Sequence, residues 1–250
     1  MKKKNRIWLC PLIVMGLVLI LTTSCKKEDD NNNPASITDK DGNVYTTVTI
    51  GTQVWMVENL KTTKYSDGTS IPNVTDKETW AGLTSAAYCW YNNDAATYKA
   101  TYCALYNWYA KDAASNGGKN ICPTGWHVPN DAEWTILTDY LTNNDYGYGG
   151  SGGEIAKSMA ATSGWTAHPT AGKVGNDQAS NNSSGFTALP SGYRLIDGAF
   201  YYVGYFSFWW SATEDNATYA WYRSMFYGYS AVTRGSTSKR NGFSVRCLKD

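Results

Sequence analysis

The 250-residue chain has only two histidines and almost no excess of charge, with 22 Lys and Arg against 21 Asp and Glu. Scarce histidine leaves little from which to build a proton relay or a zinc site: His127 and His168 stand far apart, and no CxxC pair accompanies them. GxSxG, HExxH and a phosphate-binding glycine loop are missing too, which removes the commonest hydrolase, metalloprotease and nucleotide-site signatures. With no basic stripe, a phosphate backbone would meet no countercharge, so nucleic acid is not an expected partner. What the chain does have is aromatic residues, 14% of the total and unevenly spread. FYYVGYFSFWW, residues 200–210, places eight rings in eleven positions. Whether those rings line a core or face outward depends first on where the protein works.

Lys2, Lys3, Lys4 and Arg6 precede an apolar run from Ile7 to Leu21 that ends in LTTSC, the pattern of a secretion signal. Its fifteen residues fall short of the roughly 20 that a spanning helix needs. The small residues before Cys25 resemble a bacterial lipobox, although the leucine lies four positions before the cysteine and not three. Residues 1–24 therefore read as a lipoprotein signal peptide and Cys25 as the lipidation site. KKEDDNNNPAS offers nothing to a core and reads as a disordered tether over residues 25–36. The acidic run resembles the surface-export tag of Bacteroidetes lipoproteins, and a plain polar linker would look the same. Loss of residues 1–24 removes four of the 22 basic residues and none of the 21 acidic ones, leaving a net charge of −3. The expected location is the outer membrane, exposed at the cell surface, with lipid on Cys25 as the sole membrane contact. In that oxidising setting Cys89, Cys103, Cys122 and Cys247 are expected as two disulfides, with three connectivities open.

Residues 37–250 suit one domain with a sizeable core. DKDGN is a turn signal, and VYTTVTI followed by TQVWMVENL alternates and is β-branched, predicting two antiparallel strands. Tyr98, Leu105, Trp108 and Tyr109 recur at helical spacing and predict a helix from about Thr97 to Ser115. In PNDAEWTILTDYL, Asn130 can cap a second helix while Glu133 reaches back to it, with Trp134, Leu137 and Leu141 on one face. GEIAKSMA can form a short third helix, residues 162–192 read as irregular, and the last sixty residues as short strands joined by turns.

VTIGTQVWMVENL, CPTGWHVPNDAEW and WWSATE…AW.R…GFSVRCLKD, in that order, resemble the Fibrobacter succinogenes major paralogous domain family over roughly residues 37–250. HVPNDAEW is also similar to a segment of formylglycine-generating enzymes. The resemblance implies an α+β, C-type lectin-like fold: two main helices packed on a small twisted antiparallel sheet, long irregular loops, and first and last strands paired. It implies a bridge between Cys122 and Cys247, which leaves Cys89 with Cys103 as the second pair.

Residues 200–229 contain fourteen aromatics in thirty positions, too many for one face of a small sheet to bury. Trp209, Trp210, Trp221 and Phe243 are assigned to the core. Tyr201, Tyr202, Tyr205, Phe206, Phe208, Tyr219, Tyr222, Phe226, Tyr227 and Tyr229 are assigned mainly to exposed loops and form the candidate binding surface. Tyr mixed with Ser, Gly and Asn is the composition of antibody loops, where large rings with two torsions give contact area and small polar residues adapt. Half-buried cover over the sheet is the plainer alternative. Such residues on a fixed framework, over about 193–241, also resemble the variable segments written by diversity-generating retroelements.

The function expected is therefore ligand recognition or adhesion outside the cell, toward a protein or a glycan, without catalysis, cofactor or metal. A carbohydrate-binding module is the runner-up, since sugars stack on exposed rings. The oxidase chemistry of the formylglycine relatives needs a cysteine pair near the C-terminus, and only Cys247 is there. Glu214 and Asp215 are adjacent and point to opposite faces of a strand, which suits no glycosidase pair. Asp39 and Asp41 lack the twelfth-position glutamate of a calcium loop, and His127 reads as a structural residue ahead of the helix cap.

Overall fold

The computed structural model describes residues 37–250 apart from Ser151; the expected signal peptide, lipidation site at Cys25 and tether lie outside the described residues. The chain begins with β1 (Ile37–Thr38) and β2 (Val44–Tyr45), joined across the DKDGN turn, in which Asp39 accepts from the backbone of Asp41 and Asn43. β3 (Thr47–Ile50) and β4 (Gln53–Met56) then form the expected antiparallel hairpin. Its turn passes through Gly51 at φ 60, where a Cβ would meet the Tyr140 ring at 2.7 Å.

After α1 (Lys77–Ala81) and β5 (Tyr88–Trp90), the predicted helix over 97–115 breaks into four pieces. α2 (Ala95–Tyr102) stops at Cys103, which adopts φ 67 and ends the helix. β6 (Ala104–Tyr106) pairs with β5, a single 3₁₀ turn follows at Trp108–Ala110, and α3 spans Ala113–Asn116. The helical spacing of Leu105 and Trp108 was deceptive because β6 is buried on both faces and so carries no alternation.

β7 (Trp126–His127) leads into α4 (Asp131–Asn143), which starts where the capping box predicts: Asn130 accepts from the Glu133 amide and Glu133 from the Asn130 amide. α5 (Ala156–Met159) is the short third helix. The remainder is β8 (Ser191–Arg194), β9 (Phe200–Val203), β10 (Phe206–Glu214), β11 (Tyr219–Phe226), β12 (Thr233–Ser238) and β13 (Leu248–Lys249).

The architecture is α+β. One sheet has the order β12-β11-β10-β8-β9 and another β3-β4-β13-β7, so the last strand does return to the N-terminal hairpin. Of the two main helices expected, α4 packs Trp134, Leu137 and Leu141 against the core, whereas α2 is eight residues long and none of them is buried. Trp55, Trp134, Phe186 and Trp209 form one aromatic core, with Trp55 and Trp134 4.8 Å apart. Tyr106, Trp108, Trp210 and Phe243 belong to a second.

Cys122 and Cys247 are bridged, tying the segment before β7 to the last strand. Cys89 and Cys103 are free and buried, contrary to the expected second bridge. Cys89 packs with Trp80 and Leu105 and feels Arg194, while Cys103, turned over by its positive φ, feels Lys61 and Arg246. Burial pushes the Cys89 thiol up to about 12 and the Cys103 thiol up to about 11, so neither is a ready nucleophile.

His127 is held between two carboxylates. Its Nδ1 lies 2.6 Å from Asp250 Oδ1 and its Nε2 3.0 Å from Glu133 Oε1. Partial burial pulls its pKa down, but the hydrogen bonds and charges of Asp250 and Glu133 outweigh that and raise it. A raised folded-state pKa contributes stability fully below the unfolded value of about 6.5 and loses it as pH rises through the folded value. The melting temperature of the wild type is therefore expected to fall from pH 5 to pH 8 relative to that of His127→Gln, measured side by side. The bridge closes a loop with a sequence separation of 125. Replacing Cys122 and Cys247 together by Ala is expected to cost up to about 5 kcal/mol in guanidinium unfolding.

Candidate functional site

The five-stranded sheet is two-faced because side chains alternate along its strands. Register pairs Phe206 with Phe226, Phe208 with Ser224 and Trp210 with Tyr222 on one face. The intervening pairs, Ser207 with Met225 and Trp209 with Arg223, occupy the other. Trp209 and Met225 point toward α4 and are fully buried. Arg223 clamps the start of that helix, donating to Asp131 Oδ1 at 2.6 Å and to Thr135 Oγ1 at 3.1 Å. Asp131 also takes Arg234, and burial of its carboxyl, which would raise the pKa, is overcome by the two guanidinium groups, which lower it.

The opposite face carries a continuous run of rings. At its base Trp210 and Phe243 are buried, 4.4 Å apart, and Phe208 stacks on Phe243 at 4.7 Å. Phe206 stacks on Phe226 at 4.3 Å, Phe226 meets Tyr227 and Tyr229, and Tyr205 meets Tyr227 edge-on at 5.3 Å. Tyr202 joins Phe206, and Tyr201 sits against Tyr202. Each such contact adds about 0.5–1.5 kcal/mol beyond simple burial, so the surface is self-supporting.

Nine of the ten sequence-assigned binding residues thus come together. Tyr202 (52%), Tyr205 (42%) and Tyr229 (55%) are exposed, and Tyr201, Phe206, Phe208, Tyr222, Phe226 and Tyr227 are half-buried. They lie mostly on β9, β10 and β11 and not in loops, because aromatics favour the pleated surface of a sheet and support one another across it. Tyr219 is exposed but falls on the other face by register, paired with Ser238, and no ring among the described residues touches it. Trp221, assigned to the core, is only half-buried; Arg234 covers its ring at 3.5 Å.

Two members were not foreseen. Tyr193 contacts Phe208 at 4.9 Å as well as Tyr201 and Tyr202, and His168 meets Tyr227 at 5.5 Å. The signal for Tyr193 was its place in SGYR, between residues of a strand whose Ser191 and Arg194 are buried. The backbone of Tyr202 is also unusual, with φ 62. A bulky residue rarely adopts that region, and holding it there costs on the order of 1–3 kcal/mol.

The profile of the Fibrobacter succinogenes major domain matches residues 48–249, which takes in both large sheets and the whole aromatic face. The chain belongs to this family. No curated protein and no solved structure was found to match it. β1 and β2 precede the matched part of the major domain. Among the described residues no group of three His, Cys, Asp or Glu could hold a metal ion, and no helix is long and apolar enough to cross a membrane.

Core and surface rings of the major domain are expected to separate in urea unfolding. Trp209→Ala should cost about 3–5 kcal/mol, and Tyr205→Ala or Tyr229→Ala about 1 kcal/mol or less. Tyr202→Gly, which removes the left-handed strain, should stabilise by about 1 kcal/mol.

Proposed function

We propose that this protein is a surface-anchored, non-catalytic recognition module that offers the aromatic face of its five-stranded sheet to a ligand outside the cell. One observation carries the reading: the rings run unbroken from the buried pair Trp210 and Phe243 to the exposed Tyr202, Tyr205 and Tyr229. Monomeric surfaces seldom expose a contiguous apolar patch without using it, and rigid tyrosines give contact area at low entropic cost. The strained backbone at Tyr202 supports the same view, since such strain gathers at functional surfaces. Lipid on Cys25, behind a cleaved signal peptide, would hold the domain at the outer membrane. The return of β13 to the N-terminal hairpin and the motif order support a C-type lectin-like assignment.

The alphabet of residues on the aromatic face, set on the framework of Trp209, Trp210, Arg223 and Phe243, supports diversification by a retroelement. A non-catalytic role is supported by the engagement of both His127 ring nitrogens, by the bridging of Cys247, and by the burial of the two free thiols, Cys89 and Cys103. Glycan recognition is the second reading, favoured by the stackable rings of Tyr202, Tyr205 and Tyr229.

Arrays of glycans and of secreted and cell-surface proteins, probed with the purified protein, test this. The wild type is expected to bind on at least one array. Joint replacement of Tyr202, Tyr205 and Tyr229 by Ala should weaken that binding about tenfold or more while the fold is retained. Equal binding by wild type and variant at every hit would sink the proposal.

A further inference from the structure

Behind the aromatic face, on the side of the sheet that meets α4, lies a concave pocket of about 290 Å³. One wall is a ridge of hydroxyls, Thr135, Thr138 and Thr142, spaced three and four residues apart along α4 and so gathered on one side of the helix. Arg223 of β11 and Arg234 of β12 form another wall, and Ile155 and Val232 add apolar surface. The two arginines are register partners, directly opposite each other across the strands. Like charges so placed repel, and the arrangement is destabilising unless something compensates it.

Asp131 compensates half of it. Among the described residues it is the single carboxylate in ion-pair contact with either guanidinium, and it takes both, at 2.6 Å from Arg223 and 2.9 Å from Arg234. Two positive charges against one negative leave one positive charge on the wall of a cavity. The Arg223 side chain is only 3% exposed, so water does little to screen it. Donors also remain. Arg223 bonds through its two terminal nitrogens and Arg234 through Nε and Nη2, so Arg223 Nε and Arg234 Nη1 make no hydrogen bond among the described residues. Thr135 and Thr138 donate to carbonyls of their own helix, which leaves their oxygens as acceptors, and the Thr142 hydroxyl has no partner among the described residues. Glu154, beside Ile155 in the chain, is engaged by the Ser230 hydroxyl at 3.0 Å.

We propose that this pocket binds a small hydroxylated carboxylate, of the size of one sugar acid, at a site separate from the aromatic face. The carboxylate takes the spare donors of the two arginines and supplies the second negative charge, and the hydroxyls of the ligand donate to the threonine ridge. The two walls select together: a plain anion leaves the ridge unmet, and a neutral sugar leaves the charge unmet. With a volume at the lower end of small-molecule sites, the pocket fits a single ring.

Isothermal titration of the full-length protein in detergent micelles tests this, with the sodium salts of glucuronate, galacturonate and gluconate as probes and acetate, glucose and galactose as controls at matched ionic strength. At least one sugar acid is expected to bind saturably, and acetate and the neutral sugars about tenfold more weakly or worse. Arg234→Gln, which leaves Arg223 to hold Asp131, is expected to weaken that sugar acid about tenfold or more, and Thr142→Val, which exchanges a hydroxyl for a methyl group, about threefold or more. Joint replacement of Tyr202, Tyr205 and Tyr229 by Ala should leave its affinity unchanged. Should Arg234→Gln fail to fold, Thr142→Val and the comparison of ligands decide, the latter leaving the protein untouched. Equal affinity for acetate overturns the proposal in favour of a plain anion site, and equal affinity for a neutral sugar removes the charge from recognition and overturns it too. No saturable binding of any of the three sugar acids, unchanged affinity with folded Arg234→Gln, or loss of binding with the tyrosine variant overturns it outright. The aromatic face is judged separately, by the arrays.

Discussion

Residues 242–248 are the seam on which the structure depends. This short ribbon, buried throughout, exchanges backbone hydrogen bonds with Arg194 in β8 through Gly242 and with Tyr106 in β6 through Phe243. Ser244 bonds to Phe208 and Trp210 in β10, Val245 to Leu60, and Cys247 to Met56 in β4. Four strands from three sheets thus find partners on one strip of chain. A buried backbone group left unpaired is costly, so no element of this set can shift without stranding another. The Cys122 to Cys247 bridge locks the far end of the strip, and Phe243 forms the floor under the aromatic face.

Two arginines hold the irregular parts in place with no carboxylate in ion-pair contact among the described residues. Arg194, fully buried, lies between Trp80 and Phe200 and donates to the carbonyls of Val74, Thr75 and Gly198. Arg246 lies over Phe186, donates to the Phe186 carbonyl and to Asn59, and burial lowers its pKa to about 9. Desolvating a guanidinium is expensive, and its rigid fork of donors offsets that by satisfying several loop carbonyls at once. Loops that lack a hydrophobic stripe of their own are organised from within by these two side chains.

What could be read from the sequence followed from local rules. The capping box at Asn130 and Glu133 and the hairpin over residues 47–56 depend only on neighbours in the chain, and both are where expected. The Cys122 to Cys247 pair followed from family resemblance and not from spacing. The errors share one origin, namely partners distant in the chain. β6 is buried from both sides by segments far away in sequence, so Leu105 and Trp108 imitated a helix. Cys103 takes a positive φ that no composition reveals, and its thiol feels Lys61 and Arg246 where that of Cys89 feels Arg194. Trp221 looked like core because nothing local announced that Arg234 would cover it. Of the rings assigned to the core, Trp209, Trp210 and Phe243 are buried and Trp221 is not, and most of those assigned to exposed loops lie half-buried on strands, since density of rings says nothing about which strand lies alongside.

The pairing of β10 with β11 sets how this surface can change over time. Alternate positions along the same two strands serve opposite duties: Trp209 and Met225 fill the interior, while Phe206, Phe208 and Phe226 look outward. Adding or deleting one residue within either strand would exchange the two sets, expelling an indole and driving phenyl groups against the helix. Heritable variety on the outer side is thereby confined to swaps at constant length, and the geometry of the sheet itself dictates which kinds of mutation a lineage can keep.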